Sequence, residues 1–313
     1  HGDLHLGNIA LVDGVLQIFD CIEFDDNLRW IDTANETAFC TMDLVARGRP
    51  DFAARFLNDY LEIGGDYESL SLFRYYETYR ALVRAKVACI RAGQSDLDER
   101  SRRRELADCG EHIRLAETVT RLPRAALIVT HGLSGAGKTF YSQAVVERLG
   151  AVRLRSDVER KRLHGLAPAA QSGSAPGGGI YAPEDTRQTY RALGALAAQV
   201  IDAGFPVVVD ATFLKRWQRD LMRELARTRG AAFAIFSVEV SEDLLKWRIA
   251  QRHRSRSDAS EATARVLALQ VREREPLGED ELALAVRIDG QDEPAGAAVD
   301  RLLARFPDLA PGG

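Results

Sequence analysis

Eight consecutive residues constrain this chain more than any other feature: Gly132-Leu133-Ser134-Gly135-Ala136-Gly137-Lys138-Thr139. They come after the apolar run Ala125-Ala126-Leu127-Ile128-Val129 and precede a stretch from Phe140 to Leu149 that reads as a helix closed by Gly150. Strand, glycine turn, helix is the context in which a backbone curls round an anion, because a Cβ would obstruct the N–H groups aimed at it. The helix N-terminus adds a dipole favourable to negative charge. Lys138 is expected to reach the β- and γ-phosphates of a nucleotide, and the Thr139 hydroxyl to ligate magnesium. The plain alternative is a glycine turn that only joins strand to helix; the complete Gly-x4-Gly-Lys-Thr pattern in this setting favours phosphate.

Beyond the loop, short apolar runs alternate with helical ones. Val207-Val208-Val209 and Phe233-Ala234-Ile235-Phe236-Ser237-Val238 read as strands between amphipathic helices, so residues 123–313 are expected to form an α/β domain with a parallel sheet. The stretch between Gly165 and Pro183 is too rich in Gly, Pro, Ser and Ala for a core element and reads as a mobile loop. Residues 1–122 are organised differently. Asp13-Gly14 between two apolar runs signals a hairpin, and from about Ile31 to Leu115 the periodicity is helical, broken at Gly64-Gly65 and Gly93. Leu122-Pro123-Arg124 stops the last of these helices and marks the boundary. A chain of 313 residues is long enough for two cores.

Three features beyond the glycine loop bear on chemistry. Leu154-Arg155-Ser156-Asp157-Val158-Glu159-Arg160 sets a carboxylate and an arginine just after a short strand, on the rim where open α/β sheets hold ligands. Asp157 there can orient an acceptor hydroxyl and take its proton, or Ser156 or Asp157 can simply cap the next helix. Asp210 ends the run Val207-Val208-Val209, where a carboxylate can position magnesium or cap a helix. In Trp247-Arg248-Ile249-Ala250-Gln251-Arg252-His253-Arg254-Ser255-Arg256, Arg248 and Arg252 stand one turn apart on a helix face. Such guanidinium groups can close over ATP and stabilise charge on a moving phosphoryl group, or form a solvated basic face.

In this order the residues from about Ala125 to Arg305 resemble the P-loop kinases that include gluconate kinase, polynucleotide 5′-kinase, chloramphenicol phosphotransferase and the zeta toxins. The resemblance implies ATP and magnesium as cofactors, acceptor contact by Asp157, and a site completed by lid arginines at Arg248 and Arg252. It leads us to expect a kinase acting on a hydroxyl of a small molecule. A nucleotide-binding or ATPase module that regulates the attached lobe is the competing expectation.

The N-terminal segment carries a second resemblance. His1-Gly2-Asp3-Leu4-His5-Leu6-Gly7-Asn8, succeeded after the hairpin by Ile18-Phe19-Asp20-Cys21-Ile22-Glu23-Phe24, looks like the catalytic segment of aminoglycoside phosphotransferases. It implies Asp3 as base and Asn8 and Asp20 as magnesium ligands, matching general kinase logic. The glycine-rich loop and lysine of that family's N-terminal lobe are expected upstream of His1, so the partial, mainly helical kinase-like C-lobe is expected to be silent by itself. The order of the two modules resembles bifunctional aminoglycoside phosphotransferase/ATP-binding proteins.

Composition removes other classes. A formal net charge of −4 gives no overall electrostatic reason to expect nucleic acid. No apolar run approaches the roughly 20 residues that span a bilayer. Cys21, Cys40, Cys89 and Cys109 show neither zinc spacing nor a dense disulfide framework, so the expected location is the cytoplasm.

Overall fold

A computed structural model describes residues 1–175, 177–255, 260 and 263–310, with the side chains of 252–255 outside the description. It divides into two compact units: His1–Tyr60 with Glu68–Leu122, and Leu61–Tyr67 with Pro123–Gly313.

The first unit opens with a hairpin, β1 (Ile9–Val12) against β2 (Val15–Ile18), antiparallel with Val12 opposite Val15. Its two turn residues both have positive φ, Asp13 at 50° and Gly14 at 78°, the geometry that Asp-Gly accommodates with little strain. Five helices come next: α1 (Asp26–Arg29), α2 (Thr33–Ala46), α3 (Pro50–Gly64), whose residues from Leu61 onward belong to the second unit, α4 (Leu70–Ala92) and α5 (Glu99–Thr120). Phe39, Met42, Ala81 and Ala116 meet in a buried cluster from α2, α4 and α5. Cys89 and Cys109 form a disulfide across α4 and α5, with Cα atoms 5.9 Å apart. Their separation of 20 residues suggests no bridge in the sequence; the turn between two long helices brings them together.

The second unit is a parallel α/β P-loop domain. Its strands are β3 (Ala126–His131), β4 (Val152–Arg155), β5 (Val207–Asp210), β6 (Ala232–Glu239) and β7 (Ala285–Asp289), in the order β4-β5-β3-β6-β7 and all parallel. The helices are α6 (Lys138–Leu149), α7 (Ser156–Leu163), α8 (Pro183–Asp202), α9 (Arg216–Thr228), α10 (Glu242–Ser255), α11 (Ala264–Glu273), α12 (Glu279–Leu282) and α13 (Ala295–Arg305). Leu127, Ile128 and Val129 of the central strand are fully buried, as are Val207, Val208 and Val209, which explains runs without polar alternation.

Topology fixes the site. The chain leaves β3 for β4 and β5 on one side and then crosses to β6 on the other. The order therefore reverses at β3, and open α/β sheets bind ligands outside the carboxyl ends of the strands at such a reversal. The glycine loop occupies that position. Among the described residues between α7 and α8 the chain is irregular apart from a turn of 3-10 helix at Gly179–Tyr181, as the composition there suggests.

Candidate active site

Three glycines hold the loop's shape. Gly132 has φ 141°, Gly135 φ 89° and Gly137 φ 98°, conformations that residues with a Cβ rarely adopt. At Gly132 space is limiting as well, since a Cβ would lie 2.5 Å from the Val238 carbonyl oxygen of β6. The Gly132 N–H donates to the Thr212 carbonyl at 3.1 Å, which ties the loop to the segment after β5. Gly137 is the N-cap of α6, so the helix begins at Lys138 and includes Thr139 in its first turn. The Lys138 ammonium donates to the Leu133 carbonyl at 2.9 Å, across the mouth of the loop.

A cavity of about 670 Å³ opens beside the loop and is lined by Lys138, Thr139, Asp157, Arg160 and Asp210, with Tyr181, Tyr190, Val266 and Leu269 among its other walls. Asp210 ends β5 and is buried. Its two oxygens face the hydroxyls of Thr130 and Ser142, each at 3.4 Å, too long to satisfy a carboxylate. The next helix, α9, has Lys215 as its N-cap, so Asp210 caps nothing. Thr139 and Asp210 offer the oxygen donors that magnesium prefers, and their place on one cavity fits such an ion. Among the described residues no group of three or more His, Cys, Asp and Glu side chains is placed to hold a metal by itself.

Asp157 is the second residue of α7, whose N-cap is Arg155 and makes no side-chain capping bond. Capping by Ser156 or Asp157 is therefore not what the structure contains. Burial pushes the Asp157 carboxyl above the usual carboxylate range, against the opposing pull of Arg160 and Arg155. Arg155 is paired to Glu62 at 2.8 Å.

Arg248 is placed differently. Its guanidinium donates to the Ala136 carbonyl at 3.2 Å and the Gly290 carbonyl at 2.8 Å, bracing the outer flank of the loop. It lines a second cavity of about 720 Å³ with Gly135, Gly137, Trp247 and Gln291, and it is not among the residues around Asp157. The Arg252 side chain lies outside the described residues.

Gln270 of α11 was not singled out by the sequence. Its side-chain oxygen accepts from the Ser134 N–H at 2.9 Å while its amide donates to the Ser134 hydroxyl at 2.9 Å. A glutamine 136 positions away carries no local signal for this contact.

In the first unit, Asn8 donates from its amide to the Asp3 carbonyl at 3.0 Å and the Asp3 carboxylate at 3.1 Å. A hydrogen bond from His5 holds the Asp3 carboxyl below its ordinary range. Helix α2 secures the segment: Glu36 accepts from the N–H groups of Gly2 and Leu4, and Asp43 from that of Leu6. Asp20 is exposed, with a left-handed φ of 61°.

A family described as "AAA domain" matches residues 127–277, which span the P-loop, Asp157, Asp210 and Gln270. Uncharacterized proteins of Mycobacterium tuberculosis (strain H37Rv) and Mycobacterium bovis are each 31% identical over 268 residues. The match covers 86% of this chain and 53% of either relative, so the chain spans about half the length of the curated relatives it matches. Among solved structures, a gluconokinase from Sinorhizobium meliloti is 27% identical with a TM-score of 0.41, covering 61% of this chain and 95% of that one. A sugar kinase from Janibacter sp. is 21% identical with a TM-score of 0.43, over 59% of this chain and 98% of that one. The Mycobacterium tuberculosis APS kinase is 18% identical with a TM-score of 0.44, over 59% and 99%. No helix among the described residues is long and apolar enough to cross a membrane.

Proposed function

We propose that the second unit is an ATP-dependent kinase that moves the γ-phosphoryl group to a hydroxyl of a small molecule. The observation that carries this reading is the meeting of Lys138, Thr139, Asp157 and Asp210 on one cavity at the sheet's topological switch. The loop's N–H groups cradle the phosphates, and Lys138 exchanges its carbonyl partner for phosphate oxygens. Thr139 and Asp210 would hold magnesium, and such an ion would supply neutralisation of phosphate charge. Asp157 accepts the hydroxyl proton of the acceptor, and its raised pKa suits a base that must release that proton again. The outer cavity beside Trp247 and Arg248 has the aromatic and cationic walls that suit the nucleotide base.

The domain division belongs to the same proposal: residues 1–122 form a partial aminoglycoside-phosphotransferase-like lobe, and residues 123–313 form the kinase. The Asp3–Asn8 contact supports that reading of the lobe, with Asp3 as base and Asn8 and Asp20 as metal ligands. A cytoplasmic location suits a consumer of ATP.

The test is transfer from γ-labelled ATP by wild type and Lys138→Ala, with and without a pooled metabolite library, and then mass detection of products. A library-dependent phosphorylated product, absent with the variant, is the expected result. Saturable ATP binding with only basal hydrolysis across the library would instead make the unit a nucleotide-binding regulatory module.

A further inference from the structure

Helix α5 buries a stripe of three residues, Cys109, His112 and Ala116. Where Cys109 meets α4 its buried neighbours are Ala85 and Ala88, whose single methyl groups bury little apolar surface. The flanking pair of Arg91 and Glu105, at 3.3 Å, is partly exposed and worth little. The Cys89–Cys109 bridge therefore carries much of the hold between the two helices at this level.

The bridge is asymmetric. Cys89 is exposed and Cys109 is buried, so a thiolate in solution can reach the Cys89 sulfur and displace the Cys109 sulfur into the interior. His112 stands three positions after Cys109, which puts the two side chains on one face of α5, about 5–6 Å apart at their Cβ atoms. Its Nδ1 lies 2.9 Å from the Asp108 carbonyl oxygen and 3.3 Å from the Asp108 carboxylate. A carbonyl only accepts, so Nδ1 carries the proton and in the neutral ring Nε2 presents a lone pair. Nε2 is buried and has no hydrogen-bond partner among the described residues. Buried polar atoms are seldom left so, because the lost hydrogen bond to water is not replaced. A Cys109 thiol can donate to it, whereas a bridged sulfur has no proton to give. Opening the bridge thus supplies His112 with the partner it lacks.

We infer that Cys89 and Cys109 are a reversible thiol–disulfide switch, with His112 as acceptor for the released Cys109 thiol, and that a dithiol reductant loosens α4 from α5 by opening it. A thiolate of the reductant attacks Cys89 Sγ and forms a mixed disulfide as the Cys89–Cys109 bond breaks. The electron pair of that bond goes to Cys109 Sγ, which takes up the proton the attacking thiol lost and shares it with Nε2 of His112. The second thiol of the reductant then attacks the mixed disulfide, Cys89 leaves as a thiol, and the reductant ends as a disulfide, two electrons having passed to the protein. Glutathione disulfide reverses the exchange and is itself reduced to two glutathione thiols.

The test equilibrates Cys21→Ser protein in glutathione buffers of graded thiol-to-disulfide ratio, quenches with acid and counts alkylated thiols by mass after unfolding. The bridged form has one, Cys40, and the open form three. The midpoint is expected inside the range the buffers span. In the same background His112→Phe, which removes the acceptor and keeps an aromatic ring, should need a buffer at least threefold more reducing, and His112→Gln, whose amide oxygen accepts, should return to within twofold of the parent. Circular dichroism melts in glutathione disulfide report whether the variants are folded. Hydrogen exchange on the parent alone, bridged and reduced, decides the matter even where His112→Phe does not fold: amides of residues 99–109 should exchange at least tenfold faster after reduction. A bridge that never forms, one that survives the most reducing buffer, equal midpoints for the parent and a folded His112→Phe, or exchange unchanged by reduction would overturn the switch.

Discussion

Replacing Gly132 by alanine tests whether the loop's shape is fixed by backbone geometry. The φ of 141° lies where an L-residue is strained, at about 1–3 kcal/mol. The added Cβ would also stand 2.5 Å from the Val238 carbonyl oxygen, a strand backbone atom that cannot swing aside. Overpacking of this kind adds about 1–3 kcal/mol, so Gly132→Ala should destabilise by about 2–6 kcal/mol. Gly150→Ala is the control. That glycine, the C-cap of α6, has φ 61° and nothing within 4 Å of the added atom, so only the left-handed strain of about 1–2 kcal/mol remains. Trp217 and Trp247 lie in the P-loop unit and Trp30 in the other, so a Trp30→Phe background makes urea-induced fluorescence change report the right unit. Gly132→Ala should also lose ATP binding in equilibrium titration, whereas Gly150→Ala should keep it. Equal destabilisation by the two, or normal ATP affinity in Gly132→Ala, would refute the claim that the crowding at Val238 shapes the loop.

Further predictions concern buried charge. Burial, reinforced by Arg219 and Lys138, lowers the His131 pKa to about 4, while its Nδ1 sits 2.9 Å from the Ser237 hydroxyl. The unfolded chain therefore takes up this proton first as pH falls: the contribution is complete above about pH 6.5 and is lost progressively down to about pH 4, amounting to about 3 kcal/mol. His131→Asn should flatten that part of a stability-versus-pH curve from urea melts; an unchanged curve would mean that His131 is not buried neutral. Arg219 and Glu281 are 1% and 2% exposed and joined by bonds of 2.6 and 3.0 Å, so Glu281→Ala, which strands the arginine, should cost about 3–5 kcal/mol in the same assay. A loss below about 1 kcal/mol, the level of an exposed pair, would show that water reaches the site.

How much of this was legible depends on how far each signal reaches along the chain. The P-loop was readable because its requirement is local: a strand, glycines where φ is positive, then a helix. The hairpin at Asp13-Gly14 was readable for the same reason. Strand β7 was not anticipated, because at the sheet edge Arg287 and Asp289 point to solvent and break the unbroken apolar run that marks β3 and β5. The Cys89–Cys109 bridge depended on how α4 and α5 lie side by side, a fact no spacing encodes.

Site residues divide along the same line. Lys138 and Thr139 carry their positions in the motif, Asp157 carries its as the first acid after a buried strand, and Asp210 carries its as the acid that ends one. Arg248 was visible as part of a basic helix, but only packing decides that it braces Ala136 and Gly290 on the outer flank and leaves the face toward Asp157 to others. Arg160, which closes the sequence motif around Asp157, lines the cavity on that face. It is buried, held by the Ile180 carbonyl, and close enough to Asp157 to oppose the effect of burial on that carboxyl, all of which packing decides. A run of charges says where arginines are; only the fold says which of them has been taken out of water.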